Sequence, residues 1–359
     1  MNNTVVPLIV SFLSAVIVTA VGLPLIIKAC LRFRYFDFPD ERKVHRTPVP
    51  RLGGLIFMPA AVVGLFVASW TQVLMGGKEF VFGVSTIAMT FGGLVIYLIG
   101  FIDDRYGMKA SHKFLIQALA ALILPLCNLV ITDLNGILGL HQIPFAIGYA
   151  LTVVAIIVIV NAINLIDGID GLSSGLCILI LSAYTVLFRE EHAIASLDAA
   201  IVGSLIVFWC FNVFGKVGGM KIFMGDSGSL FLGYVCAYMS IKSLMRPIAP
   251  ENCGEKQMLI SITLLLIPVL DVVRVALQRR FTGHGIFEPD KTHIHHIFMS
   301  LGLSMHAALV CILVLFLLIC GINYALWQCH FLMPFIVLMD VAIYVLVWGV
   351  LMLANKSNS

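Results

Sequence analysis

Long apolar runs divide this sequence, and they constrain its fold more than any other feature. A bilayer core about 30 Å thick requires about 20 apolar residues for each helix that crosses it. Because 60% of the 359 residues are hydrophobic and only 11% are charged, the chain holds enough apolar sequence for about eleven such helices. The sequence therefore predicts an all-α polytopic membrane protein, with a single integral membrane domain over residues 1–359. The predicted spans are 5–30, 52–74, 80–102, 113–132, 144–163, 171–188, 193–212, 226–245, 257–277, 306–326 and 331–353.

The basic residues predict the orientation of these helices, because Lys and Arg concentrate in loops that stay in the cytoplasm. With the N-terminus outside, seventeen of the 22 basic residues fall on one side of the membrane. We therefore expect an outer N-terminus and a cytoplasmic C-terminus. On the outer side, residues 132–144 carry Gly136, Gly139 and Pro144 and are expected to form a short hairpin. The expected cytoplasmic loops are about 31–51, 103–112, 164–170, 213–225 and 278–305.

Polar motifs at the helix ends are not explained by folding. Desolvating an ionised group in hydrocarbon is costly, so acids at a membrane edge indicate function by default. Four such motifs occur, and all of them fall on the predicted cytoplasmic side. We therefore expect one composite site built from several loops. The motifs are Asp103-Asp104, Asn161–Gly171, Gly225–Gly228 and His293–His296.

The acidic residues suggest a metal ion. Carboxylates held close together repel one another unless a cation or a basic group lies between them. A hard divalent cation fulfils this requirement, and Mg²⁺ suits sites shared with substrate phosphates. Asn164 and Asp226 are the expected ligands, because amide and carboxylate oxygens suit Mg²⁺. The alternatives are a solvated helix end for Asp103 and Asp104, and hydrogen bonds between helices for Asn161 and Asn164.

Anion binding is the second expected property. Gly225-Asp-Ser-Gly228 opens an apolar run, so the backbone N–H groups of a helix N-terminus are available to a phosphate. Residues 278–305 are rich in Arg and His, which are donors to phosphate oxygens. A structural zinc site would need a second spaced ligand cluster, which this segment lacks. The basic first loop is interpreted as a topological anchor, or as an attractor of an anionic lipid headgroup.

Two other polar positions have open interpretations. Asp271 and Arg274 lie one helical turn apart near the inner end of the ninth run. They form either an ion pair or a part of the pocket. Asp340 lies midway along the last run and is expected to face a partner within the helix bundle.

The four motifs together resemble the signature set of the polyprenyl-phosphate N-acetylhexosamine-1-phosphate transferase superfamily. They occur in order over most of the chain, as Phe101–Asp104, Asn161–Leu172, Phe223–Ser229 and His293–His296. The sequence Asp-Lys-Thr-His-Ile-His-His at 290–296 resembles the bacterial undecaprenyl-phosphate N-acetylglucosaminyl-1-phosphate transferase branch. The phospho-MurNAc-pentapeptide transferase branch has three consecutive histidines, which this chain lacks.

The resemblance implies transfer of a sugar 1-phosphate, most simply GlcNAc 1-phosphate, from a UDP-N-acetylhexosamine to undecaprenyl phosphate in a bacterial plasma membrane. It implies Mg²⁺, with Mn²⁺ as an alternative, held by Asn164 and Asp226. The partners are the two substrates and the lipid bilayer, with no nucleic acid, and a homodimer is left open. The implied catalytic residues are Asp103, Asp104, Asp167, His295 and His296. The implied substrate-binding residues are Lys113, Asn161, Asp170, Ser227, Arg279, Arg280 and His293.

Two questions stay open at this point. Family members are assigned a base at the position of Asp103, yet a phosphate monoester with a second pKa of about 6 is already mostly dianionic at neutral pH. Orienting the lipid phosphate or holding Lys113 is therefore a competing role. A phospho-MurNAc-pentapeptide transferase is the alternative activity. A transporter is the alternative class, although its polar residues would lie at the bilayer midplane rather than at one face.

Overall fold

The computed structural model describes residues 5–38, 47–77, 80–245, 253–282 and 292–358, and almost all regular structure in these ranges is helical. Each of the eleven predicted apolar runs coincides with one helix, and one further short helix lies between the helices of the ninth and tenth runs. The helices are α1 Val5–Phe33, α2 Phe57–Leu74, α3 Val84–Tyr106, α4 Ala110–Leu126, α5 Phe145–Leu165, α6 Leu172–Leu187, α7 His192–Phe214, α8 Gly225–Leu244, α9 Cys253–Thr282, α10 Ile294–Ser300, α11 Met305–Gln328 and α12 Met333–Asn358.

The lengths of these helices bear on how many of them cross the membrane. Within the described ranges, 8 helices are long and apolar enough to span a bilayer. Two more, α4 and α6, are apolar but shorter, and α8 opens on the polar sequence Gly-Asp-Ser-Gly. An all-α, multi-pass membrane protein is therefore confirmed. The count of eleven crossings and the orientation stay predictions.

The chain forms two compact units that alternate along the sequence. The first unit comprises residues 1–120 and 173–236, and the second comprises 121–172 and 237–359. The single domain expected over 1–359 stays a prediction.

Small residues bring the helices of the first unit close together. Ser11 on α1 donates its hydroxyl to the carbonyl of Ser196 on α7 at 2.7 Å. One side of α2 also approaches α7 closely, because a Cβ at Gly64 would overlap Ala200. In lipid there is no hydrophobic force between helices, so this close packing and these hydrogen bonds supply the association energy.

A polar cluster joins three helices of the second unit. The Asn323 amide on α11 donates to Oδ2 of Asp340 on α12 at 2.7 Å and to the hydroxyl of Thr263 on α9 at 2.8 Å. Asp340 is 1% exposed. The expectation that Asp340 faces a bundle partner is confirmed.

Two short pairings lie outside the helices. In the second unit, Asp133 and Gln142 form an antiparallel bridge, which confirms the hairpin expected in 132–144. In the first unit, β1 (Phe36–Asp37) pairs antiparallel with β2 (Val49–Pro50). Phe223, just before α8, donates its N–H to the carbonyl of Pro50 at 2.7 Å. This pairing fixes the chain around residue 51 beside the start of α8.

Candidate active site

A cluster of charged side chains lies in the first unit, where α3, α4 and α8 meet. Asp103 lies near the C-terminal end of α3, Asp226 lies in the first turn of α8, and Lys113 lies near the start of α4. The Lys113 ammonium lies 2.9 Å from Oδ2 of Asp103 and 2.9 Å from Oδ2 of Asp226. The two carboxylates therefore share one cation.

Arg51 supplies a second cation to the same cluster. Its Nε donates to Oδ1 of Asp104 at 2.9 Å, and its two Nη atoms lie 3.6 Å from carboxylate oxygens of Asp37 and Asp226. Burial lowers the pKa of the Arg51 guanidinium, but the charges of Asp104, Asp226 and Asp37 outweigh burial and raise it above its ordinary value. Arg51 is therefore a permanent positive charge that bridges three carboxylates.

The carboxylate of Asp104 is the anion at the N-terminus of α8. Its Oδ1 accepts the backbone N–H of Asp226 at 2.8 Å, and its Oδ2 accepts that of Ser227 at 3.0 Å. The side chain is completely buried. The sequence predicted that these N–H groups would bind a substrate phosphate, but two of them are already engaged by this carboxylate. Asp104 thus neutralises the positive end of the helix dipole and fixes where α8 begins.

Glycines make this arrangement possible by letting backbones approach closely. A Cβ at Gly100 on α3 would lie 2.5 Å from the Cα of Ser227, so only glycine allows α3 to pass so near to α8. Gly225 has a φ of +75°, which L side chains rarely adopt. This turn directs the N–H groups of Asp226 and Ser227 at the end of α3.

The motif Asn161–Gly171 lies in the second unit, at the end of α5. The helix ends at Leu165, residues 166–171 form a turn, and α6 begins at Leu172. The Asn161 amide donates to the carbonyl of Ile157 one turn earlier, at 2.8 Å. Asp170 is buried, whereas Asn164 and Asp167 are partly exposed. The helix-to-turn transition brings three polar side chains to the same end of α5.

The histidine motif belongs to the same unit and contacts that turn. The imidazole of His295 lies against the backbone of Gly168, where an added Cβ would overlap its ring. His295 is 1% exposed, and neither of its ring nitrogens has a partner within the described part of the chain. Burial, followed by the charges of His296 and His293, lowers the pKa of His295 to about 3. Its imidazole is therefore neutral at physiological pH.

His293 is held by a carboxylate from α9. Its Nδ1 lies 2.7 Å from Oδ2 of Asp271, and its ring stacks on His295 with 5.8 Å between the ring centroids. Asp271 also forms an ion pair with Arg274 at 2.7 Å, which confirms the first of the two interpretations of that pair. A cavity of about 260 Å³ is lined by Arg274 and His296, among others. Arg274 is therefore also part of a pocket wall.

The remaining predicted residues lie at the end of α9 or outside the described ranges. Arg279 and Arg280 lie in the last turn of α9, where Arg279 is buried and Arg280 is exposed. His284, Glu288, Asp290 and Lys291 of the same loop, and residues 39–46 of the first loop, lie outside the described residues.

The structure brings the predicted residues together in two groups, one in each unit. Asp103, Asp104, Lys113, Asp226 and Ser227 form the first group, and the Asn161–Asp170 and His293–His296 segments form the second. The sequence analysis did not assign a site role to Arg51 or Tyr344, and it left open whether Asp271 is part of an ion pair or of the pocket. For Arg51, the sequence signal was only a basic loop, which is common to cytoplasmic loops in general.

The donor atoms of the first group are compatible with Mg²⁺. Within the described ranges, no three His, Cys, Asp or Glu side chains are grouped to hold a metal ion. Mg²⁺ does not need such a cage, because it binds one or two carboxylates and takes its other ligands from water and substrate phosphates. Asp226 supplies hard oxygens of this kind, with Asp103 beside it. Asn164, the other predicted ligand, lies in the second unit.

Comparison with known proteins agrees with this picture. The profile of glycosyl transferase family 4 matches residues 86–244. A probable undecaprenyl-phosphate N-acetylglucosaminyl 1-phosphate transferase of Bacillus subtilis (strain 168) is 32% identical over 315 residues, which cover 85% of this chain and 79% of the relative. An undecaprenyl-phosphate alpha-N-acetylglucosaminyl 1-phosphate transferase of Haemophilus influenzae is also 32% identical, over 77% of this chain and 75% of the relative.

A third relative uses a different lipid in its name. A decaprenyl-phosphate N-acetylglucosaminephosphotransferase of Mycobacterium tuberculosis is 31% identical over 77% of this chain and 72% of its own length. The fold and these similarities define a membrane-embedded enzyme of the glycosyl-1-phosphate transferase class. The chain belongs to glycosyl transferase family 4. The resemblance stated from the four motifs is thereby confirmed.

Proposed function

We propose that this enzyme transfers GlcNAc 1-phosphate from UDP-GlcNAc to undecaprenyl phosphate. A phosphate oxygen of the lipid attacks the β-phosphorus of the UDP-sugar, the bond from that phosphorus to the bridging oxygen breaks, and UMP leaves. The products are undecaprenyl-pyrophosphate-GlcNAc and UMP, and this would be the initiating step of a cell-envelope glycan. The printed names of the bacterial relatives support this choice of sugar and lipid.

The observation that carries the proposal is the shared cation between Asp103 and Asp226. Phosphoryl transfer between two anionic substrates requires positive charge held in place, since catalysis is mostly positioning and electrostatic stabilisation. Lys113 and Arg51 supply that charge, and the surrounding carboxylates hold both side chains in fixed positions. Incoming phosphate oxygens would replace part of the carboxylate contacts of these two cations.

Asp103 acts in this proposal by positioning Lys113. Its Oδ2 contacts the Lys113 ammonium, and its Oδ1 accepts the backbone N–H of Met108 at 2.7 Å. Both oxygens thus hold other groups of the enzyme. The lipid phosphate needs little deprotonation near neutral pH, because its second pKa is about 6. Asp104 acts indirectly, because it fixes the N-terminus of α8 and thereby the position of Asp226.

The second group contributes contacts to the UDP-sugar. Asp167 and Asp170 line the nucleotide pocket, as the family motif implies. His295 is neutral and can donate one hydrogen bond and accept another, while His293 and His296 lie beside it. Arg279 and Arg280 add positive charge at the end of α9. A buried imidazole without partners among the described residues is the kind of group that a bound ligand satisfies.

Magnesium is the cofactor of the proposal, with Asp226 and Asn164 as ligands and Mn²⁺ as a substitute. When bound, the ion would neutralise charge on the pyrophosphate. Its binding can be tested without turnover, by electron paramagnetic resonance of Mn²⁺ added to the purified enzyme. We expect bound Mn²⁺ for the wild type and about tenfold weaker binding for Asp226→Asn. Equal binding by the wild type and by Asp226→Asn would reject Asp226 as a ligand.

The proposal also includes the arrangement of the protein in the membrane. Eleven crossings with an outer N-terminus and a cytoplasmic C-terminus, in a bacterial plasma membrane, are supported by the one-sided distribution of Lys and Arg. Single-cysteine labelling of a cysteine-free variant at residues 112 and 190 would test it. Residue 112 should react only from the cytoplasmic side and residue 190 only from outside.

The activity itself is tested with purified enzyme, undecaprenyl phosphate and radiolabelled UDP-GlcNAc. We expect a lipid-extractable labelled product and an equal amount of UMP. UDP-MurNAc-pentapeptide, offered in parallel, should give no product. Lys113→Ala should lose activity at least 100-fold, and the exposed-site variant Arg189→Ala should keep it. A labelled lipid formed only from the pentapeptide substrate, or from neither, would refute the proposal.

A further inference from the structure

The buried carboxylate of Asp271 is not part of any motif, yet it lies directly behind the histidine motif. It is completely buried, on α9, in the second unit. Four groups contact its two oxygens. Oδ2 accepts His293 Nδ1 at 2.7 Å, and Oδ1 contacts Arg274 Nη2 at 2.7 Å, the Ile294 N–H at 3.0 Å and the Tyr344 hydroxyl at 3.1 Å. An ionised carboxylate accepts about four hydrogen bonds, so this one is saturated.

Arg274 holds the residue that precedes His293. Its Nη2 also donates to the carbonyl of Thr292 at 2.6 Å, and its guanidinium lies over the ring of Trp348 on α12. Two side chains one turn apart on α9 therefore hold three consecutive residues, Thr292 to Ile294. They hold one backbone carbonyl, one imidazole nitrogen and one backbone N–H.

We infer that Asp271, supported by Arg274 and Tyr344, is a positioning residue for the histidine motif. Asp271 accepts a hydrogen bond from the N–H at His293 Nδ1. The other ring nitrogen, Nε2, is therefore the one that is left to contact a substrate. It also caps the first turn of α10, which carries His295 and His296 into place. An imidazole with a fixed tautomer and orientation binds its ligand without having to be ordered at the moment of binding.

This inference rests on the proposed function for its kinetic test, but its structural part can be tested independently. In hydrogen–deuterium exchange, the wild-type peptide 292–300 should exchange slowly. Asp271→Asn should raise its exchange at least fivefold and leave α11 unchanged. Asp340→Asn is the matched control, because it alters another buried carboxylate of the same unit that does not contact the histidines; it should leave 292–300 as in the wild type. Unchanged exchange of 292–300 in Asp271→Asn would overturn the inference.

The kinetic test is a double-mutant cycle with His293→Ala. We expect Asp271→Asn to lower kcat/KM for UDP-GlcNAc by about 10- to 100-fold, as when the carboxylate partner of a metal-bound imidazole is removed. In the His293→Ala background the same change should cost less than about threefold, because its target is already absent. Equal losses in both backgrounds would mean a general structural role and would overturn the inference.

A milder variant covers the case in which Asp271→Asn does not fold. Tyr344→Phe removes a single donor to Asp271 and should lower kcat/KM by about two- to fivefold, again only when His293 is present. Asp271→Glu keeps the carboxylate and should recover part of the activity lost in Asp271→Asn. If the wild type makes no lipid product, the proposed function fails, while hydrogen–deuterium exchange still decides the role of Asp271.

Discussion

The imidazole of His295 lies directly on the backbone of Gly168, so closely that an added Cβ would overlap the ring. Gly168 belongs to the turn that carries Asp167 and Asp170, and His295 belongs to the histidine motif. Two motifs that are far apart in sequence are therefore in contact, and the size of one residue controls that contact. This relationship leads to the first prediction.

Gly168→Ala should displace His295 and impair catalysis. Inserting a methyl group into a tight contact costs about 1–3 kcal/mol, and His295 has to move to accommodate it. We expect at least a tenfold loss of kcat/KM together with a lower melting temperature. The control is Gly321→Ala on α11, where a Cβ would meet nothing within 4 Å. That variant should keep full activity, and wild-type activity in Gly168→Ala would contradict the prediction.

The buried, neutral His295 predicts a dependence of stability on pH. Its pKa is lowered from the ordinary value of 6.5 to about 3 in the folded protein, so the unfolded chain binds the extra proton more readily between these values. Stability is fully present above pH 6.5 and is lost as the pH falls, by about 2 kcal/mol at pH 5.

Thermal unfolding of wild type and His295→Phe between pH 7.5 and 5 measures this contribution. The melting temperature of the wild type should fall more steeply with acidification than that of His295→Phe. His306→Phe, at an exposed histidine, should behave as the wild type. Parallel curves for the wild type and His295→Phe would show that His295 is protonated in the folded state as easily as in the unfolded one.

Arg51→Ala should destabilise the protein and abolish most activity. The change leaves Asp104 and Asp226 with less compensating charge, at a cost of about 1–3 kcal/mol. Arg51→Lys should keep only part of the activity and stability, because a lysine ammonium cannot replace the planar guanidinium group that contacts three carboxylates. Arg189→Ala removes an exposed ion pair with Glu190 and should change stability by less than about 0.5 kcal/mol. Equal melting temperatures for Arg51→Ala and Arg189→Ala would argue against this role.

Asp103→Asn should lose activity to the same extent at pH 5.5 and at pH 8. A positioning role predicts this result, because a neutral amide holds the Lys113 ammonium more weakly than a carboxylate does at either pH. A base would instead matter mainly at low pH, where the lipid phosphate still carries its second proton. We expect about a 100-fold loss of kcat at both values. Recovery of Asp103→Asn at pH 8 would identify Asp103 as the base.

The comparison of sequence with structure is clearest for the helices. All eleven apolar runs are helices, and the expected hairpin in 132–144 is present. Such predictions succeed because a run of apolar residues in lipid must satisfy its own backbone hydrogen bonds, and a helix does so within the segment itself. The end of α5 near Asn164 and the start of α8 at Gly225 were readable for the same local reason.

The partners of the charged residues were not readable. Arg51 was interpreted as part of a topological anchor, but it bridges Asp37, Asp104 and Asp226. The N–H groups at the start of α8 were interpreted as a phosphate site, but Asp104 accepts two of them. Each of these contacts joins segments that are distant in the chain, and nothing in the local pattern specifies which carboxylate reaches which donor.

The sequence by itself therefore determined the class of protein and the positions of the helices, and it indicated most of the residues of the candidate site. Only the tertiary structure decided which charged and polar groups are paired. Lys113 contacts both Asp103 and Asp226, Asp104 accepts hydrogen bonds at the N-terminus of α8, and Asp271 accepts a hydrogen bond from His293. The physical reason is range. Apolar length and helix formation are local properties, whereas an ion pair or a buried hydrogen bond depends on where separate segments bring a donor and an acceptor atom within about 3 Å of each other.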